Sequence, residues 1–480
     1  MKKKILICLA AAATLIMIVF VFTGCGLTAD NSADKETAVS SSTEAVKTEG
    51  DEYGGYDESQ AERITFSGTS AKSSSPSVKT DGSSVTVSGE GTYIISGDFD
   101  GTVTIDAGKE SKVQLVLDGA EINSGDYAAI YVKSADDVII TLAEGSVNML
   151  TDSGEVYKQS DSDNKVDGVI FADCDLAFGG NGSLTISAAN HGIVSKKDIE
   201  FTGGEYDITA KEKGIKGDNS ISVSGGKIVI DAEDDGLHSD EDNDKDKGFI
   251  HISGGEITVR SGDDAIHAST TITVDGGKLS LSAHEGLEST VVTINDGDIT
   301  IDASDDGINA AKKSDFYEPE ITVNGGSIVI KMSQGDTDAL DSNGSITING
   351  GTVDITAQFP FDYDTDGKIN GGTVTVNGEK VTEMTNQFGG GRAGMRGESG
   401  NREPVTDENG EEINPRDFKG FGNRESMTDE NGEQVAPPDF KDFKNREQFA
   451  DENGERITPP DFKEKEPKTN ESKESVGSEQ

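Results

Sequence analysis

The sequence predicts an all-β protein: a right-handed parallel β-helix (solenoid) with a disordered N-terminal tether and a charged C-terminal tail. Gly-Gly or Gly landmarks recur from Gly203 to Gly350 at intervals of about 20 to 29 residues. Each interval holds short runs of alternating β-formers, such as Ile228-Val229-Ile230 and Ile257-Thr258-Val259, and returns to the next landmark through a second run. One such unit cannot bury its own apolar face, and coaxial stacking of many units can. The right hand follows from strand twist and crossover chirality. A β-propeller would want four strands in a longer repeat, and a β-sandwich would not keep the landmarks in register.

Composition sets the outer limits. The chain has 480 residues, 32% hydrophobic, with 90 acidic against 42 basic side chains and a net charge of -48. That charge excludes a nucleic-acid backbone as partner and favours cations. With no Trp and 6% aromatic residues, a helical bundle or a flat aromatic binding face is not expected.

Residues 1–25 read as an export signal: a basic "MKKK", an apolar run from Ile5 to Phe22, and "TGC" ending at Cys25. They resemble a bacterial lipoprotein signal with Cys25 as the lipidated residue, although Phe22 stands where Leu is usual. An uncleaved transmembrane anchor is the alternative. Either places the body at the extracellular face of the cytoplasmic membrane. Cys8 and Cys25 belong to this segment, which leaves Cys174 alone in the body and no intramolecular disulfide. Residues 26–80, rich in Ser, Thr and acids, read as a tether. Residues 81–385 read as the solenoid, with insertions confined to turns. A Gly-rich linker opens the segment 386–480, where three imperfect 22-residue copies begin at Asn401, Asn423 and Asn445. Their "DENG" lacks the alternating ligands and closing Glu of a calcium-binding EF-hand loop and reads as a turn. A monomer is expected.

Inside the solenoid, nine carboxylates crowd into Asp231 to Asp246. Stacking places one residue per coil in a single column: Asp167, His191, Lys213, Asp235, Asp264, Glu285, Asp306 and Asp338. Asp234, Asp263 and Asp305 precede it. Coils about 4.8 Å apart put facing carboxylates in repulsion of roughly 3–4 kcal/mol at an effective dielectric near 20. Such a ladder must raise its pKa values or bind cations. Gly236, Ala265, Gly286, Gly307 and Ala339 follow the column and are expected to clear space for a metal. Three positions on from the column stand His238, His267, Glu288, Asn309 and Asp341, expected to point outward. The oxygen-dominated set favours Ca²⁺, while the two histidines leave a transition metal open. A solvated acidic edge is the plain alternative.

The stretches "GTYIISGDFDGTVTIDAG", "VQLVLDGAEI", "AAIYVKSADDVIITLAEGSVN" and "LTISAANHGIVSKKDIEFTGG", with the reiterated "DDGL", "DDAI" and "DDGI", carry a family resemblance over about residues 60–385. The chain resembles the bacterial extracellular carbohydrate-binding domain family, typified by a clostridial cellulose- and acidic-sugar-binding β-helix protein similar in fold to polysaccharide lyases. The resemblance implies bound Ca²⁺ and affinity for plant cell-wall polysaccharide such as polygalacturonate or cellulose. It implies metal ligands in the Asp-rich turns, here Asp234, Asp235, Asp240, Asp263, Asp264, Asp305, Asp306 and Asp338. Expected sugar contacts are His238, His267, Asn309 and Tyr317, with Phe316, Phe359, Phe361 and Tyr363 as further stacking candidates. The expectation is therefore a lipid-anchored surface protein that binds polysaccharide through a calcium-loaded β-helix. One alternative is a polysaccharide lyase with Lys213 or Lys216 as base beside Ca²⁺. The other is a calcium-stiffened surface stalk.

Overall fold

The computed structural model describes residues 51–154, 157, 165–335 and 337–386. They fall in one unit of the chain, Met1–Met395. The signal segment with Cys25, the N-terminal part of the tether and the 22-residue repeats lie outside the described residues. Among the described residues, no helix is long and apolar enough to cross a membrane.

The described residues form 36 strands and no helix. Apart from hairpins toward the two ends, the strands hydrogen-bond in parallel to their counterparts one coil away, which makes three ladders around a common axis. One ladder runs from Val147–Thr151 through Ser183–Ala188, Lys227–Ala232, Asp298–Ala303 and Thr352–Thr356 to Thr373–Val376. A second runs from Gly168–Ala172 through Leu237–Ser239 and Asp306–Ala310 to Phe359–Tyr363. The third joins Asp175–Gly180, Phe249–Ile252, Glu320–Val323 and Asp366–Ile369. The architecture is the parallel β-helix that the repeats predict. Among the described strands, antiparallel pairs occur only toward the two ends, at Glu62–Ser67 with Ser70–Ser73, Val78–Asp81 with Ser84–Val87, and Thr373–Val376 with Glu379–Val381. Such hairpins blunt the open edges of the solenoid.

Alternation explains the core. In Lys227–Ala232, Ile228, Ile230 and Ala232 are buried while Lys227 and Asp231 are exposed, and every coil repeats the pattern in register. Ile193, Ile215, Leu237, Ile266, Leu287, Ile308, Leu340 and Phe361 thus form one continuous interior column. The Gly-Gly turns are backbone requirements. The second glycine of each pair has positive φ, as at Gly255 (φ 85), and a Cβ on the first, as at Gly254, would lie 2.4 Å from the Ser224 carbonyl oxygen of the preceding coil.

Two expectations need correction. The segment 51–80 is not simply tether. Strands begin at Glu62, and Asp51 to Tyr56 lie along the solenoid, where Asp51 accepts from Gly180 N at 2.8 Å and Tyr53 Oη donates to Glu200 at 2.8 Å. The small residues after the acidic column do not chiefly clear space for a metal. A Cβ on Gly307 would meet Ala339 O at 2.5 Å and Ile330 Cγ2 at 2.7 Å, so smallness there serves the approach of the next coil and the core.

Candidate functional site

The site lies on the second ladder. The pairing register stacks Gly168, His191, Lys213, Asp235, Asp264, Glu285, Asp306, Asp338 and Phe359 in one column. Asp167 falls one residue short of it, because Gly168 is the residue opposite His191. Three residues on, the same register stacks Lys216, His238, His267, Glu288, Asn309, Asp341 and Asp362. The two columns flank the buried Leu or Ile of each strand and form one charged stripe along the solenoid.

The stripe is unevenly compensated. In its first coils, protein cations meet the acids. Lys213 Nζ lies 2.8 Å from Asp234 and also contacts Asp235, which is 3% exposed. Asp235 in turn bonds His238 Nδ1 at 2.7 Å, and Asp240 lies 3.4 Å from His238 Nε2 and 3.2 Å from Lys216 Nζ. Burial alone would raise Asp235, but His238 and Lys213 outweigh it and hold the carboxyl well below its usual range. Asp240 is depressed in the same way, chiefly by His238. This resolves the crowded run at Asp231 to Asp246: its buried members have partners, and Asp242, Asp244 and Asp246 are exposed on a loop. Burial opposes the Lys213 charge, yet its bonds to Asp234 and Asp235 raise its pKa. Lys213 therefore keeps its proton, and the expectation that it supplies a free-amine base does not fit its surroundings.

One coil on, His267 Nδ1 sits 2.7 Å from Asp264 and 2.8 Å from Glu288, and Lys313 pairs with the other Glu288 oxygen. His238 and His267 stack with ring centroids 4.7 Å apart. Burial opposes the His267 charge, but the two carboxylates raise its pKa to about 9. Asp263 is more exposed and lies near Asp234 and Asp235.

Further along, the compensation stops. Glu285 is pushed up to about 7 by burial and then by Glu288. Asp306 rises to about 8 through burial, Asp341 and Glu285, and Asp341 to about 6 through burial, Asp362 and Asp364. Asp305 faces His284 at 3.8 Å. Asp306 accepts from Asp338 N at 3.3 Å. Among them stands Asn309, 8% exposed, whose amide nitrogen donates to Glu285 at 3.0 Å while its Oδ1 is buried with no hydrogen-bond partner. A buried carbonyl-type oxygen without a donor, among carboxylates that burial and one another raise, is a donor set suited to a hard divalent cation.

Two insertions overhang the stripe at the corner where the second ladder passes to the third. They are residues 240–248 and 311–319; the two intervening coils run without a break through Asp264–Val274 and Glu285–Ile294. Tyr317 Oη donates to Lys245 O at 3.0 Å, so the insertions meet. Lys313 N and Ser314 N both donate to Thr290 Oγ1, at 3.1 and 2.9 Å, which fixes the base of the second insertion. Between them opens a cleft of about 440 Å³ lined by Asp242, Asn243, Lys312, Lys313, Ser314, Asp315 and Phe316.

The structure thus brings His238, His267 and Asn309 onto one stripe and sets Tyr317 on the overhanging loop. Phe316, 48% exposed, lines the cleft, whereas Phe361 is core and Phe359 and Tyr363 are half-buried. Lys312 and Lys313 were not expected at the site. They lie in an insertion whose length the repeat shows but whose path it does not.

An acid-striped parallel β-helix with a cleft at one corner defines the class of protein, and comparison with known proteins supplies the family. A family model described as carbohydrate-binding domain-containing protein matches residues 81–357, and the chain belongs to that family. It is 43% identical over 123 residues to a carbohydrate-binding domain-containing protein of Acetivibrio thermocellus, an alignment covering 25% of this chain and 43% of that relative. The match thus spans less than half of the relative's length. Among solved structures, a gadolinium derivative of the polysaccharide lyase-like protein from C. thermocellum is similar at 29% identity, with a TM-score of 0.44, over 58% of this chain and 98% of that one.

Proposed function

We propose that the protein is a lipid-anchored cell-surface binder of acidic polysaccharide, such as polygalacturonate, that uses Ca²⁺ on the acidic stripe. The observation that carries this reading is the change of charge along the stripe. Lys213, Lys216, His238 and His267 answer the acids of the first coils, and no comparable set answers Glu285, Asp306 and Asp341 among the described residues. Glu285, Asp305, Asp306, Asn309 and Asp341 would hold the ion, with Asp338 beside them. When bound, Ca²⁺ supplies positive charge that offsets these acids and attracts a uronate carboxylate to a protein of the same sign.

The chain's own residues supply the rest. Lys312 and Lys313 place positive charge on the cleft wall, Asp242, Asn243 and Ser314 offer hydrogen bonds to sugar hydroxyls, and Phe316 offers a face for a sugar ring. The resting pair Lys313–Glu288 keeps one of these cations at the mouth of the cleft.

The test is co-sedimentation of the protein, lacking residues 1–25, with polygalacturonate in Ca²⁺ and in chelator. Ultraviolet absorbance of unsaturated uronide is followed in the same tubes. Calcium-dependent binding without absorbance is expected. Phe316→Ala and Lys312→Ala should each weaken it about tenfold, or about 1.4 kcal/mol. Rising absorbance would make the protein a lyase, and no binding in either buffer would leave the stalk.

A further inference from the structure

We propose that Asp264, His267 and Glu288 form a separate site for a borderline divalent transition metal of the Zn²⁺ class. One imidazole nitrogen and two carboxylate oxygens converge there from two adjacent coils: His267 Nδ1 is 2.7 Å from Asp264 Oδ2 and 2.8 Å from Glu288 Oε2. A nitrogen donor beside two oxygens suits a borderline metal, whereas Ca²⁺ takes oxygens alone. Three protein ligands also leave a position open for an exchangeable ligand.

Each donor is oriented by a further group, as ligands of such metals characteristically are. The His267 ring is stacked on His238 at 4.7 Å and 19°. Lys313 engages Glu288 Oε1 and leaves Oε2 to the site. Asp264 is fixed by its strand, and its own N–H donates to Asp235 Oδ1 at 3.0 Å.

The neighbouring coil shows why this position, and not its twin, takes a metal. Asp235 and His238 repeat the Asp-plus-three pair, but Asp235 Oδ2 also receives the ammonium of Lys213, the residue in register with it. That coil carries its cation already. In register with Asp264 stands Asp235 on one side and Glu285 on the other, so no lysine of the column reaches it. His267 Nδ1 lies within hydrogen-bond reach of both carboxylates, and a metal bound to the same three atoms would release any proton held there to solvent. The inference stands independently of the carbohydrate reading.

The test is Co²⁺ titration of the chelator-treated full chain, followed by visible d–d absorbance. One Co²⁺ per chain is expected at this site, displaced by equimolar Zn²⁺ and retained in large excess of Ca²⁺. His267→Asn and Glu288→Gln should each weaken it at least about tenfold, while His251→Asn, on another face, leaves it intact. Absence of the bands, undiminished bands in both variants, or displacement by Ca²⁺ overturns the proposal. Should the two variants fail to fold, zinc-edge X-ray absorption of the wild-type protein decides. A shell with one imidazole and two carboxylates is expected, and an all-oxygen shell overturns it.

Discussion

Asp235 and Asp306 occupy equivalent places on the same stripe and live in opposite surroundings. Asp235 is held ionised by His238 and Lys213, while burial and the neighbours Asp341 and Glu285 drive Asp306 toward its protonated form. The same substitution should therefore act in opposite directions. Asp235→Asn leaves Lys213 and His238 short of a buried partner and is expected to cost about 3 kcal/mol or more. Asp306→Asn removes a buried like charge and is expected to stabilise the chelated protein at pH 8 by about 1–2 kcal/mol, while reducing stabilisation by Ca²⁺. Urea denaturation with and without chelator reads both. The acids of the stripe were legible in the sequence because the repeat fixes their column. Their partners were legible only in part. Lys213 lies in the column itself, but Lys313 reaches Glu288 from an insertion, and no periodicity fixes where an insertion folds back. Asp167 was misplaced because a parallel ladder tolerates a one-residue error by eye while the pairing of Ile170 with Ile193 does not.

Elements in this protein are short, and what joins them repeats as exactly as the strands do. From Asp275 to Asn370, one residue at each turn bonds its counterpart in the neighbouring coil. Asn324 donates to Asn295 at 2.7 Å, Asn349 to Asn324 at 2.9 Å and Asn370 to Asn349 at 2.9 Å, and the row continues through Asn295 to Asp275 at 2.7 Å. An amide both gives and accepts, so identical residues can stack indefinitely where identical carboxylates cannot. Asn349→Ala, which breaks the row at an exposed turn, should cost about 1 kcal/mol, measured as a lower denaturation midpoint at unchanged m-value. The recurrent "NGG" was visible in the sequence as a turn signal, and alignment by landmarks would have shown the ladder too. The strap Asp51 to Tyr56 was not visible. Its contacts are hydrogen bonds to residues about 60 to 150 positions away, such as Thr202 Oγ1 to Asp51 at 3.0 Å and Thr141 Oγ1 to Tyr53 O at 2.7 Å, and they leave no pattern in a Ser- and acid-rich segment.

At the scale of the whole molecule, the unpaired acids are expected to make stability depend on pH and, with the proposed Ca²⁺ on the stripe, on divalent cations together. Glu285, Asp306 and Asp341 sit at about 7, 8 and 6 in the folded chain, against roughly 4 when unfolded. Between these limits the folded state binds more protons than the unfolded one, so stability falls as pH rises from about 4 to 8. His267, raised to about 9, adds to the same trend: its contribution is complete below about 6.5 and lost as pH rises through its folded value. The two contributions separate by their response to calcium. A hard cation favours the ionised carboxylates and should cancel the first while leaving the second. In chelator, the midpoint of thermal unfolding is expected to drop by several degrees between pH 5 and pH 8, for a loss of about 2–3 kcal/mol after solvent screening of the partly exposed groups. Millimolar Ca²⁺ should remove most of that drop at pH 8 and little at pH 5, where protons already occupy the acids. Asp306→Asn should flatten the chelator curve and reduce the gain from Ca²⁺ at pH 8. An equal gain from Ca²⁺ at both pH values would place its binding among the exposed acids instead, away from the buried stripe.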